Sequence, residues 1–346
     1  MREVGAPAAA AADELAACVA AFPRARAAHL PTPIEALPRL GADVGLDLHV
    51  KRDDCTGLAF GGNKIRQLEF YFGEAMGRDA DIVLLTSAVQ SNFMRATAAM
   101  ARRFGMDVSL QLEERVPGVG PLYRSNGNVL IDRLLGAEFE AYPVGEDEAG
   151  ADAAVAAKAD RLRADGRRPY VIPLAAGHPP LGALGYVDAA LELQAQMAET
   201  GAFDAIFVGS GSALTHAGLL VGLRALGIPI RVVGVCVRRD AAAQAARVGR
   251  RAADLEAMLG LPARVAPADV ELDDSMLAPG YGQLNADTTA AIRGAARREG
   301  LLLDPVYTGK VMAALGGRAA EFDGARVLFW HTGGQPALFA YADLLT

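Results

Sequence analysis

Residues 51–69 read Lys51-Arg-Asp-Asp-Cys-Thr-Gly-Leu-Ala-Phe-Gly61-Gly62-Asn-Lys64-Ile-Arg-Gln-Leu-Glu69, and their order sets the reading of the whole chain. The stretch leaves a short strand at 48–51, crosses a glycine pair and opens a helix at 66–77, which is one strand-loop-helix unit. Gly61 and Gly62 can take backbone conformations closed to other residues, so they can deliver Lys64 to the start of that helix. A cation is electrostatically misplaced there, because the helix dipole favours the neutral amine. A neutral amine is a nucleophile, and one that condenses with an aldehyde is the functional reading. The plain alternative is a solvated lysine following a turn.

Outward from this unit the same alternation repeats. Short β-branched runs at 48–51, 82–86, 107–112, 138–142, 170–173, 205–208, 231–237 and 327–331 predict strands. Alanine- and leucine-rich stretches of helical period at 66–77, 94–104, 126–135, 148–165, 182–199, 216–226, 241–259 and 287–299 predict the helices between them. The fold class is therefore α/β, with mostly parallel sheets. A chain of 346 residues exceeds one ordinary domain. The breaks in the pattern divide it into a large domain, 1–69 and 169–346, and a small inserted domain, 70–168. No internal repeat is visible.

Composition narrows the function. With 34 basic against 41 acidic residues, the net charge of −7 argues against nucleic acid and anionic membrane as partners. Hydrophobic residues make up 52% of the chain, enough for a sizeable core, yet no uninterrupted apolar stretch is long enough to span a bilayer. Neither a signal peptide nor a metal site is expected. The three cysteines, Cys18, Cys55 and Cys236, show no paired spacing, and a reducing cytoplasm is the expected setting. Only four lysines occur, Lys51, Lys64, Lys158 and Lys310, so any lysine chemistry has few candidates.

Three more junctions carry chemistry. At Ala205-Ile-Phe-Val-Gly209-Ser210-Gly211-Ser212-Ala213-Leu214-Thr215-His-Ala-Gly218 a strand runs through a small-residue loop into a helix, the arrangement that cradles a phosphate. It lacks the lysine of a nucleotide-hydrolysing loop. Paired with a glycine-delivered lysine, it suggests pyridoxal 5′-phosphate. At Thr86-Ser-Ala-Val-Gln90-Ser91-Asn92-Phe93 a hydroxyl and an amide meet another helix N-terminus, where Ser91 can cap the helix or the N–H groups can bind a carboxylate. At Leu328-Phe-Trp-His331-Thr332-Gly-Gly-Gln a hydroxyl and two glycines follow a strand, where open α/β sheets bind ligands.

These segments, together with Arg124-Ser-Asn-Gly-Asn128, Gly182-Ala-Leu-Gly-Tyr186, Pro279-Gly-Tyr281-Gly and Leu303-Asp-Pro-Val-Tyr307-Thr308-Gly-Lys310, resemble a family of pyridoxal-phosphate enzymes. It contains D-cysteine desulfhydrase, 1-aminocyclopropane-1-carboxylate deaminase and L-cysteate sulfo-lyase. The likeness runs from about Leu30 to Phe339. It implies the tryptophan-synthase-β-like fold (fold type II), two open twisted mostly parallel sheets flanked by helices, with the cofactor in the cleft between domains and usually a homodimer. It implies Lys64 as the Schiff-base lysine, Asn92 on the ring hydroxyl, Ser91 at the substrate, Tyr281 and Tyr307 as active-site tyrosines, and Thr308 and Thr332 near the pyridine nitrogen. Residues 210–215 would take the phosphate.

Three positions depart from the family pattern: Phe93 after the serine-asparagine pair, Leu174-Ala-Ala-Gly-His178 where a Val-Gly-Gly-Ser-like run is usual, and Leu214 in the phosphate loop. Phe93 and His178 are therefore expected to reshape the substrate pocket. The activity implied is α,β-elimination from a small amino acid such as D-cysteine or L-cysteate, giving pyruvate, ammonia and the leaving group. A β-replacement synthase, an aminocyclopropane-carboxylate deaminase, and a non-catalytic protein binding pyridoxal phosphate or an amino acid are the alternatives.

Overall fold

The apolar runs Ile82–Ala88, Ala205–Ser210 and Arg231–Cys236 are buried along nearly their whole length, which in a sheet requires cover on both faces. The computed structural model, which describes residues 6–173 and 177–345, shows how that cover is supplied. Ten strands form among these residues: β1 (Ile34–Ala36), β2 (Asp47–Lys51), β3 (Ile82–Ala88), β4 (Asp107–Glu113), β5 (Glu138–Tyr142), β6 (Pro169–Val171), β7 (Ala205–Ser210), β8 (Arg231–Cys236), β9 (Glu271–Asp273) and β10 (Arg326–Trp330). They make a six-stranded sheet ordered β1-β2-β10-β7-β8-β9 and a four-stranded sheet ordered β5-β4-β3-β6. Every pairing is parallel except β1 with β2. This is the fold type II architecture of two mostly parallel sheets flanked by helices.

Helices pack on both faces of the large sheet. On one face Leu219, Leu220, Val187 and Leu193 meet Ile206, Val208 and Trp330. On the other, Val311 and Leu315 meet Phe207, Val233 and Phe329. The helix Asn63–Gly77 leaves the large sheet but sends Ile65, Leu68 and Phe72 into the core beneath Val83, Leu85 and Val108 of the small one. The small sheet also captures β6, through the register Ile82↔Pro169 to Leu84↔Val171. The seam between sheets thus lies beyond residue 171, whereas the sequence reading put Pro169–Val171 with the large domain.

A buried polar network locks the elements behind the cleft. The Asp53 carboxylate accepts from Arg66, Tyr186 at 2.6 Å, Trp330 at 2.8 Å and Thr32 at 2.9 Å. Arg66 also forks onto Glu192 at 2.9 Å for each nitrogen. Lys51 donates to Glu192, Gln196 and the Thr32 carbonyl. Its partners are complete, as a buried charge requires.

Candidate active site

Four consecutive residues deliver Lys64 through left-handed backbone: Ala59 (φ 45°), Phe60 (φ 68°), Gly61 (φ 59°) and Gly62 (φ 105°). A Cβ at Gly61 would stand 2.3 Å from the Asp54 carbonyl oxygen, so only glycine fits. Asn63 N–H then donates to the Thr332 carbonyl at 3.0 Å, and Lys64 becomes the second residue of its helix. The amine makes one long contact, 3.4 Å to Gln67 Oε1, and lies 5.4 Å over the Phe93 ring. No salt bridge reaches it among the described residues. Burial without a counter-charge pulls it down to about 8, so a useful fraction is unprotonated near neutrality.

The other lysines are committed elsewhere. Lys51 belongs to the buried network, Lys158 pairs with Glu140 at 2.7 Å, and Lys310 donates to the Leu277 and Gly280 carbonyls. Lys310 is also pulled down to about 8 by burial, so acidity alone does not separate it from Lys64. Position does, because of the four only Lys64 lines the cavity between the sheets.

Opposite the lysine, Gly209 near the end of β7, the loop residues Gly211, Ser212 and Ala213, and Thr215 in the first turn of the next helix line the same cavity. Ala213 turns the chain at φ 75° into the helix Leu214–Ala225, whose N-terminus no side chain caps. First-turn N–H groups have no intrahelical partner, so these are available to an anion. Thr215 Oγ1 accepts from Asn63 at 3.0 Å and Gln67 at 2.8 Å, which ties the loop to the lysine helix and leaves its own proton to donate. Two residues of the expected 210–215 set point elsewhere. Ser210 accepts from Gln244 at 2.9 Å and meets His216, away from the cavity, and Leu214 packs into the core. Gly209 takes a place the sequence reading did not give it.

Ser91 and Asn92 begin the helix Asn92–Arg103. Ser91 Oγ caps it, accepting from Phe93 N at 3.2 Å and Met94 N at 3.3 Å, and faces the cavity with its proton uncommitted. Asn92 Oδ1 accepts from Asn128 at 3.0 Å, which orients its NH₂ group as a donor toward the cavity. The Phe93 ring is in the wall, packed edge-to-face on Tyr71 at 6.3 Å. Tyr281 and Tyr307 share a hydrogen bond at 3.2 Å between their hydroxyls. Burial holds the Tyr307 hydroxyl well above its usual range, so it stays protonated.

Thr332 lines the cavity, but Thr308 does not. The Thr308 hydroxyl donates to Asp304 Oδ1 at 2.7 Å, while that carboxylate also accepts N–H bonds from Val306, Tyr307 and Thr308. Thr308 thus fixes the turn that presents Tyr307. His178 is exposed and lines a different cavity with Phe22, Tyr71 and Tyr170, so it does not face Lys64. The departure at Leu174, Ala175 and Ala176 lies outside the described residues.

The sequence reading missed a charged wall. Glu113 is fully buried, accepting from Thr86 at 2.8 Å and Arg115 at 2.8 Å. Glu148, first residue of the helix Glu148–Ala164, receives Arg238 at 2.6 Å, Arg239 at 2.5 Å and Arg247 at 3.4 Å, joining the small-sheet side of the cavity to the large. The Arg238-Arg239 pair just past a strand's C-terminal end was the available signal.

The donor set fits pyridoxal 5′-phosphate: an unpaired amine for the aldehyde, an uncapped helix N-terminus with small residues for the phosphate, and the Asn92 NH₂ for the ring oxygen. Residues 25–333 match the family described as pyridoxal-phosphate dependent enzyme. The D-cysteine desulfhydrase of Salmonella choleraesuis is 44% identical over 323 residues, 92% of this chain and 96% of that one. The D-cysteine desulfhydrase of Salmonella paratyphi C is 43% identical over the same shares. Among solved structures, an ACC deaminase homologue superposes with a TM-score of 0.86 at 36% identity, covering 96% of this chain and 98% of that one. An O-ureido-L-serine synthase, at TM-score 0.64 and 17% identity over 94% of each chain, shares the fold alone. Among the described residues no helix is long and apolar enough to cross a membrane. The chain belongs to the pyridoxal-phosphate dependent enzymes and is a lyase that uses pyridoxal 5′-phosphate.

Proposed function

We propose that the protein is a D-cysteine desulfhydrase, converting D-cysteine and water to pyruvate, ammonia and hydrogen sulfide. The observation that carries this reading is the placement of Lys64, which alone of the four lysines lines the cavity and has no counter-charge. The substrate class is supported by the 44% identity to a desulfhydrase across nearly both chains. The cofactor, when bound, supplies an acceptor for the electron pair released at the α-carbon.

The protein residues do the rest. Lys64 would hold the cofactor, and its free amine takes the α-proton as general base, a role its acidity near 8 suits. The Ser91 hydroxyl, whose proton is uncommitted, binds the substrate carboxylate. Asn92 and Thr332 orient the ring, and Gly211, Ser212, Ala213 and Thr215 hold the phosphate. The Tyr281–Tyr307 pair gives a proton to the departing sulfur, and the proton that Lys64 takes from the α-carbon makes good the loss before the next turnover. Phe93 keeps water from the amine. We further infer work in the cytoplasm as a homodimer; three unpaired cysteines support the compartment, and the family resemblance supports the dimer.

An end-point screen of purified protein tests this. It should release 2-oxo acid and sulfide from D-cysteine faster than any product from L-cysteine, L-cysteate, D-serine or aminocyclopropane carboxylate. A preference for L-cysteate would move the leaving group to sulfite, and 2-oxobutanoate as the main product would make it a ring opener.

A further inference from the structure

Arg95 is fully buried on the helix that begins with Asn92 and Phe93, yet its charge is not spent on a carboxylate. Its Nη1 donates to the Ala59 carbonyl at 2.6 Å and its Nη2 to the Gly61 carbonyl at 3.0 Å. Its Nε has no hydrogen-bond partner. Asp304 and, more strongly, the buried Asp132 are the carboxylates whose charge it feels, but among the described residues both oxygens of Asp132 are without hydrogen bonds. An ordinary structural arginine would close onto that carboxylate, since a forked ion pair is the stronger arrangement. Here the fork closes onto two backbone carbonyls instead.

Those carbonyls belong to the left-handed run that delivers Lys64. Backbone in sparsely populated regions persists only when its surroundings over-determine it. Ala59 and Phe60 are not glycines, and Phe60 is 59% exposed, so its side chain does little to hold the turn. Arg95 is a buried donor that does, on the Ala59 and Gly61 carbonyls, beside Thr56, whose hydroxyl donates to the Gly62 carbonyl at 2.9 Å. It sits one turn along the helix from Asn92, so the same side chain couples the lysine loop to the element carrying Ser91, Asn92 and Phe93.

We propose that Arg95 is a positioning residue that fixes the 59–62 loop, and through it the reach of Lys64, relative to the Ser91–Phe93 wall. This rests on the assignment of Lys64 as the cofactor lysine. The test uses cofactor-loaded Arg95→Lys and Arg95→Gln, reading the induced visible circular dichroism per bound cofactor alongside kcat and KM for D-cysteine. The dichroism reports how firmly the ring is held, and a loss of stability alone does not move it. The expected result is dichroism reduced by about half, kcat lower by about tenfold in the Lys and about a hundredfold in the Gln variant, and KM within about threefold, as for a small misplacement of a reacting group. Wild-type dichroism and kcat in both, with only a lower Tm, would overturn the proposal. If neither variant folds, Ala59→Gly decides, because it accepts the left-handed backbone while loosening the loop and leaves Arg95 in place. Lower dichroism and kcat in it support the proposal, and unchanged values overturn it. Borohydride labelling of the wild type separates the two assignments: a label away from Lys64 overturns both, whereas a label on Lys64 with unaltered Arg95 variants overturns this one alone.

Discussion

Arg66 and Lys64 stand two positions apart on one helix and meet opposite environments. Arg66 points into a site where Asp53 and Glu192 answer every charge, and Tyr186 and Trp330 donate to Asp53 as well. Lys64 points into a cavity where the nearest groups are an amide and an aromatic ring. The same helix therefore carries a cation made rigid by full pairing and an amine made reactive by having none. Burial drives both, but it is offset by carboxylates at Arg66 and left uncompensated at Lys64.

The most damaging way to break this comparison is on the reactive side. Lys64→Ala should lower kcat/KM by about a thousandfold or more, within the range of a lost general base, with Tm within about 3 °C of wild type. On the paired side the balance should reverse. Arg66→Met leaves Asp53 and Glu192 buried without their partner, and should cost about 3–5 kcal/mol in urea unfolding with kcat of the folded protein within about twofold. A large loss of kcat at unchanged stability in Arg66→Met would erase the distinction. Tyr307→Phe should come next, lowering kcat about ten- to a hundredfold, roughly 1.4–2.7 kcal/mol, with cofactor affinity unchanged.

The pH dependence sharpens the contrast. Below about 8 the Lys64 amine is protonated and above it free. Coupling of the apoprotein with pyridoxal 5′-phosphate should therefore rise through that pH and level off, rather than climbing to the pH of about 10.4 at which an ordinary lysine is half free. The smallest effect belongs to the charged wall. Glu148→Gln releases Arg238, Arg239 and Arg247 toward the thiolate form of D-cysteine, so KM should fall about threefold at low salt, with the difference fading near about 0.5 M salt.

Lys64, the loop after β7 and the serine-asparagine pair were legible because each sits at a strand-to-helix junction marked by glycine or a small hydroxyl residue. Strands β1 and β9 were not, since three residues are too short to show alternation. The placement of Thr308 and His178 was not legible, for a different reason. Chain position shows that a residue lies near a junction, but only the fold shows that Thr308 turns back onto Asp304 and that His178 opens on another cavity. Glu113, Arg115 and Glu148 of the charged wall gave no signal of their own, because only the parallel pairing of β3, β4 and β5 brings their part of the chain together.

Borohydride reduction of the cofactor-loaded protein followed by peptide mapping tests the central claim most directly. The pyridoxyl group should lie on the peptide containing Lys64 and on no peptide containing Lys51, Lys158 or Lys310. Labelling of any of those three in place of Lys64 would contradict the account.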